Sequence, residues 1–315
     1  MNTKCRLILV MLTGMFTSAL QADLLLYDGF AAGGENPGSG EYQTEPNSTN
    51  GTNNNALHGQ SPSALGFSTN DEWRNLDTVA GTVHPRAINN GLTWSDSSGN
   101  SLITSPGAAE IFRSGTQSGA DYNAQFKRAT RKIVGIDGPS GEFYLSGLFQ
   151  FKAGVEGRLK IFTTGAGDDR SHYIGFSDAG NLIGGSFNND LRNAAAPAEN
   201  TSAETFAADT THFVVARFVD GGFGNRTVDL WINPNDITSQ GTADYTFDAN
   251  YFDGHTFDSI TIGAHMGKNV SNPSFIIDEV RVGTTWDSVT PIPEPGTLIL
   301  LGISLGTLWL FRRRK

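Results

Sequence analysis

The sequence predicts one large all-β domain between two targeting segments, on three observations. From Glu142 to Val282, runs of β-branched and aromatic residues recur, and clusters of Gly, Asn, Asp and Ser separate them. Where the period can be read it is two. Thr227-Val228-Asp229-Leu230-Trp231-Ile232 places Val228, Leu230 and Ile232 on one face and Asp229 and Trp231 on the other. Finally, the 268 residues of the body, 23–290, are enough for one domain with a sizeable core.

The chain opens with Lys4 and Arg6, an apolar core from Leu7 to Phe16, and small residues up to Ala22. Residues 1–22 therefore read as a secretory signal peptide, handled by the secretion machinery and signal peptidase, with cleavage expected after Ala22 or, second, after Ala19. The single cysteine, Cys5, precedes the apolar core. The mature body is thus expected to hold no disulfide, no thiolate nucleophile and no thiolate metal site.

Leu24 to Phe30 is an apolar strand candidate. Residues 31–63 are rich in Gly, Asn, Ser, Thr and Pro and nearly free of large apolar side chains, so they read as a flexible surface loop. From Ala64 to Gly119, short apolar pieces around Phe67, Trp73, Ile88, Trp94, Ile103 and Ile111-Phe112 alternate with turn signals, as in a chain of short strands. Tyr122 to Val134 is the one stretch whose pattern admits a helix, because Phe126, Ala129 and Ile133 fall at three- and four-residue steps among cations. Strands follow at 143–145, 148–151, 159–162, 172–176, 213–219, 227–232, 259–262 and 275–282.

The last 25 residues have three parts in fixed order: Pro293-Glu294-Pro295-Gly296, an apolar run over 297–311, and Arg312-Arg313-Arg314-Lys315. Prolines punctuate, the run suits a transmembrane helix, and terminal cations stay cytoplasmic, which puts the body on the far side of the membrane. The run is shorter than the roughly 20 residues of an ordinary permanent anchor. This tail, with Pro293, Glu294, Pro295, Arg312, Arg313 and Arg314 at its motif positions, resembles the bacterial PEP-CTERM sorting signal. The resemblance implies recognition by an exosortase, a membrane-embedded cysteine transpeptidase-like enzyme, and removal of the tail during export. It further implies transient anchoring in the inner membrane, then the cell surface or an extracellular matrix.

The body resembles laminin-G-like or concanavalin-A-like domains through Tyr173-Ile174-Gly175-Phe176-Ser177, Phe213-Val214-Val215-Ala216-Arg217, Val228-Asp229-Leu230-Trp231-Ile232-Asn233-Pro234 and Ile277-Asp278-Glu279-Val280-Arg281-Val282-Gly283-Thr284-Thr285-Trp286. The fold implied is an antiparallel β-sandwich of jelly-roll type, in which one sheet often meets glycans.

Lys and Arg fall from 22 to 16 without Lys4, Arg6 and the last four residues, and Asp and Glu from 32 to 31 without Glu294. The body therefore carries about −15, which argues against nucleic acid as a partner and suits neutral glycans or cations. Calcium is the candidate ion, at the loop carboxylates Asp168, Asp169 and Asp220, although none has EF-hand spacing. No other cofactor is expected. A glycosidase needs two facing carboxylates, and Asp278-Glu279, being adjacent on a strand, should point to opposite faces and serve structure. The six histidines lack close metal-ligand spacing.

Trp231 is the glycan-stacking candidate, with Asp229 and Asn233 beside it to bond sugar hydroxyls; Trp94 and Trp286 are weaker ones. A competing expectation is that the loop from Asn233 to Ala249 covers the ring. The function expected is an exported, non-catalytic structural, adhesive or glycan-binding protein associated with extracellular polysaccharide. The alternative is an extracellular carbohydrate-active enzyme, a glycoside hydrolase or lyase.

Overall fold

The structure, a computed structural model, describes residues 24–33, 41–42, 57, 60, 62, 64–67, 72–75, 83–113, 126–137, 142–163, 170–188, 200–220, 226–248, 256–267 and 270–292. In chain order the strands are β1 (Leu24–Asp28), β2 (Arg74–Asn75), β3 (Val83–Ile88), β4 (Ala108–Arg113), β5 (Phe126–Asp137), β6 (Glu142–Phe151), β7 (Val155–Thr163) and β8 (Arg170–Phe176). They continue as β9 (Asn181–Asn188), β10 (Thr201–Thr205), β11 (His212–Asp220), β12 (Arg226–Ile232), β13 (Tyr245–Asp248), β14 (Thr256–Met266) and β15 (Ser274–Gly283), followed by a one-turn helix α1 (Trp286–Val289).

Two antiparallel sheets result. One has eight strands in the order β13-β12-β11-β6-β15-β4-β3, with β1 also paired to β15; the other has seven, β10-β9-β8-β7-β14-β5-β2. Alternation on each strand sends one set of side chains into the space between the sheets. Val228, Leu230 and Ile232 enter that core, as their period predicts. Phenylalanines fill its middle, with Phe143 stacked on Phe218 at 4.7 Å and Phe151 on Phe176 at 4.7 Å. The signal peptide, the 297–311 run, and the motif residues Pro293, Glu294, Pro295, Arg312, Arg313 and Arg314 lie outside the described residues. Among the described residues no helix is long and apolar enough to cross a membrane.

Three expectations are corrected. Of the stretch read as admitting a helix, Phe126 to Val134 lies in strand β5, in which Ala129, Arg131 and Ile133 are buried while Lys132 and Val134 are exposed, and 122–125 lie outside the described residues. Period two prevails because β5 lies against the 11-residue β14, and pairing runs from Thr256↔Asp137 to His265↔Phe126. The segment 31–63 is not wholly a surface loop, since Tyr42 and Leu57 are core residues at 1% and 0% exposure. Tyr42 donates its hydroxyl to Asp28 Oδ2 (2.5 Å) and accepts from Trp73 Nε1 (2.7 Å) and Arg131 Nη1 (3.3 Å). Lastly, β9, β10 and β13 are strands beyond those expected, and 143–151 is one strand rather than two.

Asp278 and Glu279 do not part to opposite faces. The register of β15 shifts between Asp278 and Arg281, and Glu279 sits at a left-handed φ of 54°, so a β-bulge turns both carboxylates toward the loop over 89–107. Asp278 accepts from the Leu92 (2.8 Å) and Glu279 (2.7 Å) amides. Glu279 accepts from the Ser105 amide and from Arg281 Nη2, each at 2.5 Å. Both side chains are fully buried, and their role is structural, pinning that loop to the sheet. Burial first, and then the Glu279 charge, push the Asp278 carboxyl up to about 9. His172, enclosed by Phe143, Phe218 and Phe257, is pushed down to about 3 by burial.

Two tests follow from this packing. A Cβ at Gly157 would overlap the Phe275 ring, so Gly157→Ala should cost about 1–3 kcal/mol, read as a lower urea midpoint at unchanged slope. The second is a pH profile. A proton held on folded Asp278 but lost from the unfolded chain above pH 3.8 makes stability fall as pH rises toward about 9, and His172 adds nothing above its unfolded value of 6.5. Between pH 6.5 and 9 unfolding free energy should therefore drop, with a limiting slope of about 1.4 kcal/mol per pH unit, and Asp278→Asn should flatten that limb.

Candidate functional site

The sequence-derived site lies on the outer face of the eight-stranded sheet, and there the structure closes it. Val215, Trp231, Phe213, Tyr144 and Leu148 point outward and form a second apolar cluster with Leu92, Leu102, Ile237, Trp286 and Val289. Trp231 is 3% exposed. Its Nε1 donates to the Gly241 carbonyl (3.0 Å) and its ring meets Trp286 edge-on at 5.2 Å. The loop after β12 covers it, so the competing expectation holds and the indole offers no platform.

Asp229 is likewise occupied. It bonds Arg217 Nη2 (2.5 Å) and accepts from Thr246 Oγ1 (2.7 Å). Asn233, at φ 49°, turns the chain off β12: its Oδ1 accepts from the Phe213 amide (2.9 Å) and its Nδ2 meets His212 Nδ1 at 3.0 Å. These three residues are therefore corrected from a glycan site to a brace holding the covering loop. Trp286 donates Nε1 to the Ile237 carbonyl (2.9 Å), and Trp94 packs on Phe213 at 5.2 Å. Of the calcium candidates, Asp168 and Asp169 lie outside the described residues, and for Asp220 only the strand position at the end of β11 is described. Among the described residues no group of three His, Cys, Asp or Glu side chains is placed to hold a metal.

A different face gathers chemistry that the sequence reading missed. On the seven-stranded sheet the register aligns Thr130, Thr261, Lys160, Tyr173 and Gly185 across β5, β14, β7, β8 and β9. A neighbouring row holds Arg128, Gly263, Arg158, Gly175 and Ile183, and the rows beyond add Lys132, Ser259 and Ser171 on one side and Glu156 and His265 on the other. None of these side chains belongs to the core between the sheets; Tyr173 and Ile183 form their own small cluster.

The face is graded. Lys132 is exposed, and Arg128, Glu156 and His265 are half-buried, while Arg158, Lys160 and Tyr173 form a floor at 7%, 2% and 1% exposure. The Arg158 guanidinium lies 5.0 Å over the Tyr173 ring and pairs with Glu156 at 2.7 Å; Lys160 lies 4.8 Å over the Phe162 ring. Gly185, opposite Tyr173, lies close against it: a Cβ there would meet the Tyr173 hydroxyl at 3.3 Å and Asn200 Nδ2 at 3.5 Å. The accessible cations of this face, Lys132 and Arg128, suit oxygen-rich, anionic ligands, which they can hold by charge-assisted hydrogen bonds, while the ring-stacked pair beneath adds positive charge. A sequence signal existed: Glu156-Gly157-Arg158-Leu159-Lys160-Ile161 alternates polar and apolar as cleanly as β12 does.

Trp231→Ala should behave as a core deletion, lowering stability by about 3–5 kcal/mol in urea unfolding, and a variant of unchanged stability would contradict its burial.

No curated protein sequence matches the chain. Solved structures similar to it include an endo-β-1,4-glucuronan lyase from the fungus Trichoderma reesei, at 14% identity and TM-score 0.44, covering 75% of this chain and 97% of that one. A Bacillus licheniformis β-glucanase matches at 12% identity and TM-score 0.40, covering 73% and 96%. The alginate lyase vAL-1 from Chlorella virus matches at 9% identity and TM-score 0.39, covering 59% and 89%. Residues 291–315 match the PEP-CTERM protein-sorting motif, so the chain carries the signal of an exported protein processed by an exosortase.

Proposed function

We propose that this is an exported, non-catalytic β-sandwich protein of the cell envelope or extracellular matrix, which binds extracellular polysaccharide through the outer face of its seven-stranded sheet. One observation carries the reading. Lys132 is exposed and Arg128 half-buried on a face whose buried floor adds Arg158 and Lys160, although the body as a whole is acidic. Such segregation directs anionic or hydroxyl-rich chains to that face, while the body's net charge keeps the protein soluble.

A carbohydrate-active enzyme is the second reading, favoured by His265, half-buried on the same face beside Glu156, since an imidazole can move protons. Hydrolysis by paired carboxylates is less well served, because Glu156 is engaged by Arg158 at 2.7 Å.

The test is affinity gel electrophoresis of the full-length protein through polysaccharide from the host's own matrix. Retardation should weaken with salt, and the double change Arg128→Gln with Lys132→Gln should reduce affinity about tenfold with thermal unfolding unchanged. Undiminished retardation would remove this face from the function. New reducing or unsaturated ends would establish the enzyme instead. Deleting residues 293–315 should strand the body in the periplasm, and an unchanged distribution on fractionation would contradict sorting by the tail.

A further inference from the structure

The sorting motif and the folded body overlap. The motif begins at Pro291, and Pro291 and Ile292 are described residues that contact the body. Thr290, 2% exposed, closes α1: its amide donates to the Trp286 carbonyl at 3.1 Å, and its hydroxyl lies 3.0 Å from the same oxygen and 3.4 Å from the Ile237 carbonyl. One residue earlier, the Val289 carbonyl accepts from Ser146 Oγ on β6 (2.9 Å). Pro291 has no amide hydrogen, but its carbonyl accepts from the Ile103 amide at 3.2 Å, and Ile292 packs on the second apolar cluster. At about 3.5 Å per extended residue, Glu294 is held within about 7 Å of Ile292. No spacer separates the folded body from the residues that the sorting enzyme reads.

We infer that residues 290–292 are a latch that sets the N-terminal limit of tail processing. Peptide bonds are cut when the chain is locally open, and every bond up to Ile292 is held in a turn, hydrogen-bonded to the 89–107 loop or packed on apolar side chains. The cut falls on the C-terminal side of Ile292, and the mature body keeps the latch that completes its second apolar cluster. One peptide C–N bond breaks, the carbonyl carbon passing to water or an acceptor amine and the departing nitrogen taking up a proton. The enzyme therefore works with the intact sandwich within two or three residues of its site, so folding precedes processing and protects the product from trimming.

The inference rests on exosortase processing of the full chain, and intact-mass measurement separates the two. Protein recovered from the native host should end at residue 293 or later. An end at or before Ile292 overturns the latch while leaving processing standing; an unprocessed full-length mass overturns the processing reading and the latch with it. Ile103→Pro, which removes the amide that Pro291 accepts from, should yield ragged, shorter ends, whereas Ile103→Ala, which keeps that amide, should give the wild-type mass. Identical ends in both variants would show that the latch sets no limit, and thermal unfolding would verify that each body is folded.

Discussion

The central strands of the eight-stranded sheet are apolar on both faces, and much of the molecule follows from that constraint. In β6 the buried run from Phe143 to Phe149 alternates between the inter-sheet core and the outer cluster, and β11 does the same with Phe213 and Val215 outward and Val214, Ala216 and Phe218 inward. A strand of this kind cannot face water on either side without exposing large apolar area. One side is met by the second sheet. The other is met by irregular chain, which explains why the loop over 89–107, the segment after β12, α1 and Ile292 all converge on one surface. Irregular cover must have its backbone polar groups satisfied, and Asp278, Glu279, Ser146 and the two indole N–H groups perform that task.

The seven-stranded sheet obeys a different rule. Its strands alternate apolar inward and polar outward, so its outer face can carry Arg128, Lys132, Arg158, Lys160 and the hydroxyls of Thr130 and Thr261. Structure and chemistry are thus divided between the two outer faces, one used to seat loops and the other available for polar side chains. With no cysteine in the described body, this division carries the fold without covalent staples.

Strand-level periodicity was legible in the sequence wherever it was long, as at β11 and β12, and it placed Trp231 on the outer face correctly. What it did not contain was the identity of the cover, because a side chain's partner across a loop depends on tertiary contacts that no local period records. The same limit made β5 look helical: Ala129 and Ile133, four residues apart, fit either period, and only pairing with β14 decides. Asp278 and Glu279 escaped because one residue in a left-handed conformation inverts the face of its neighbours. The cationic face was visible in the alternation of β7, but its assembly from five strands depends on register.

Tyr42 and Leu57 are both sealed in the core, Tyr42 by the Asp28, Trp73 and Arg131 network and Leu57 by the Pro85 carbonyl that accepts from its amide. Tyr42 thereby ties β1 of one sheet to β5 of the other, and Leu57 is tied to β3. A change at Tyr42 therefore loosens the contact between the two sheets as well as the segment that carries it, so both anchors stay under the selection that acts on the core.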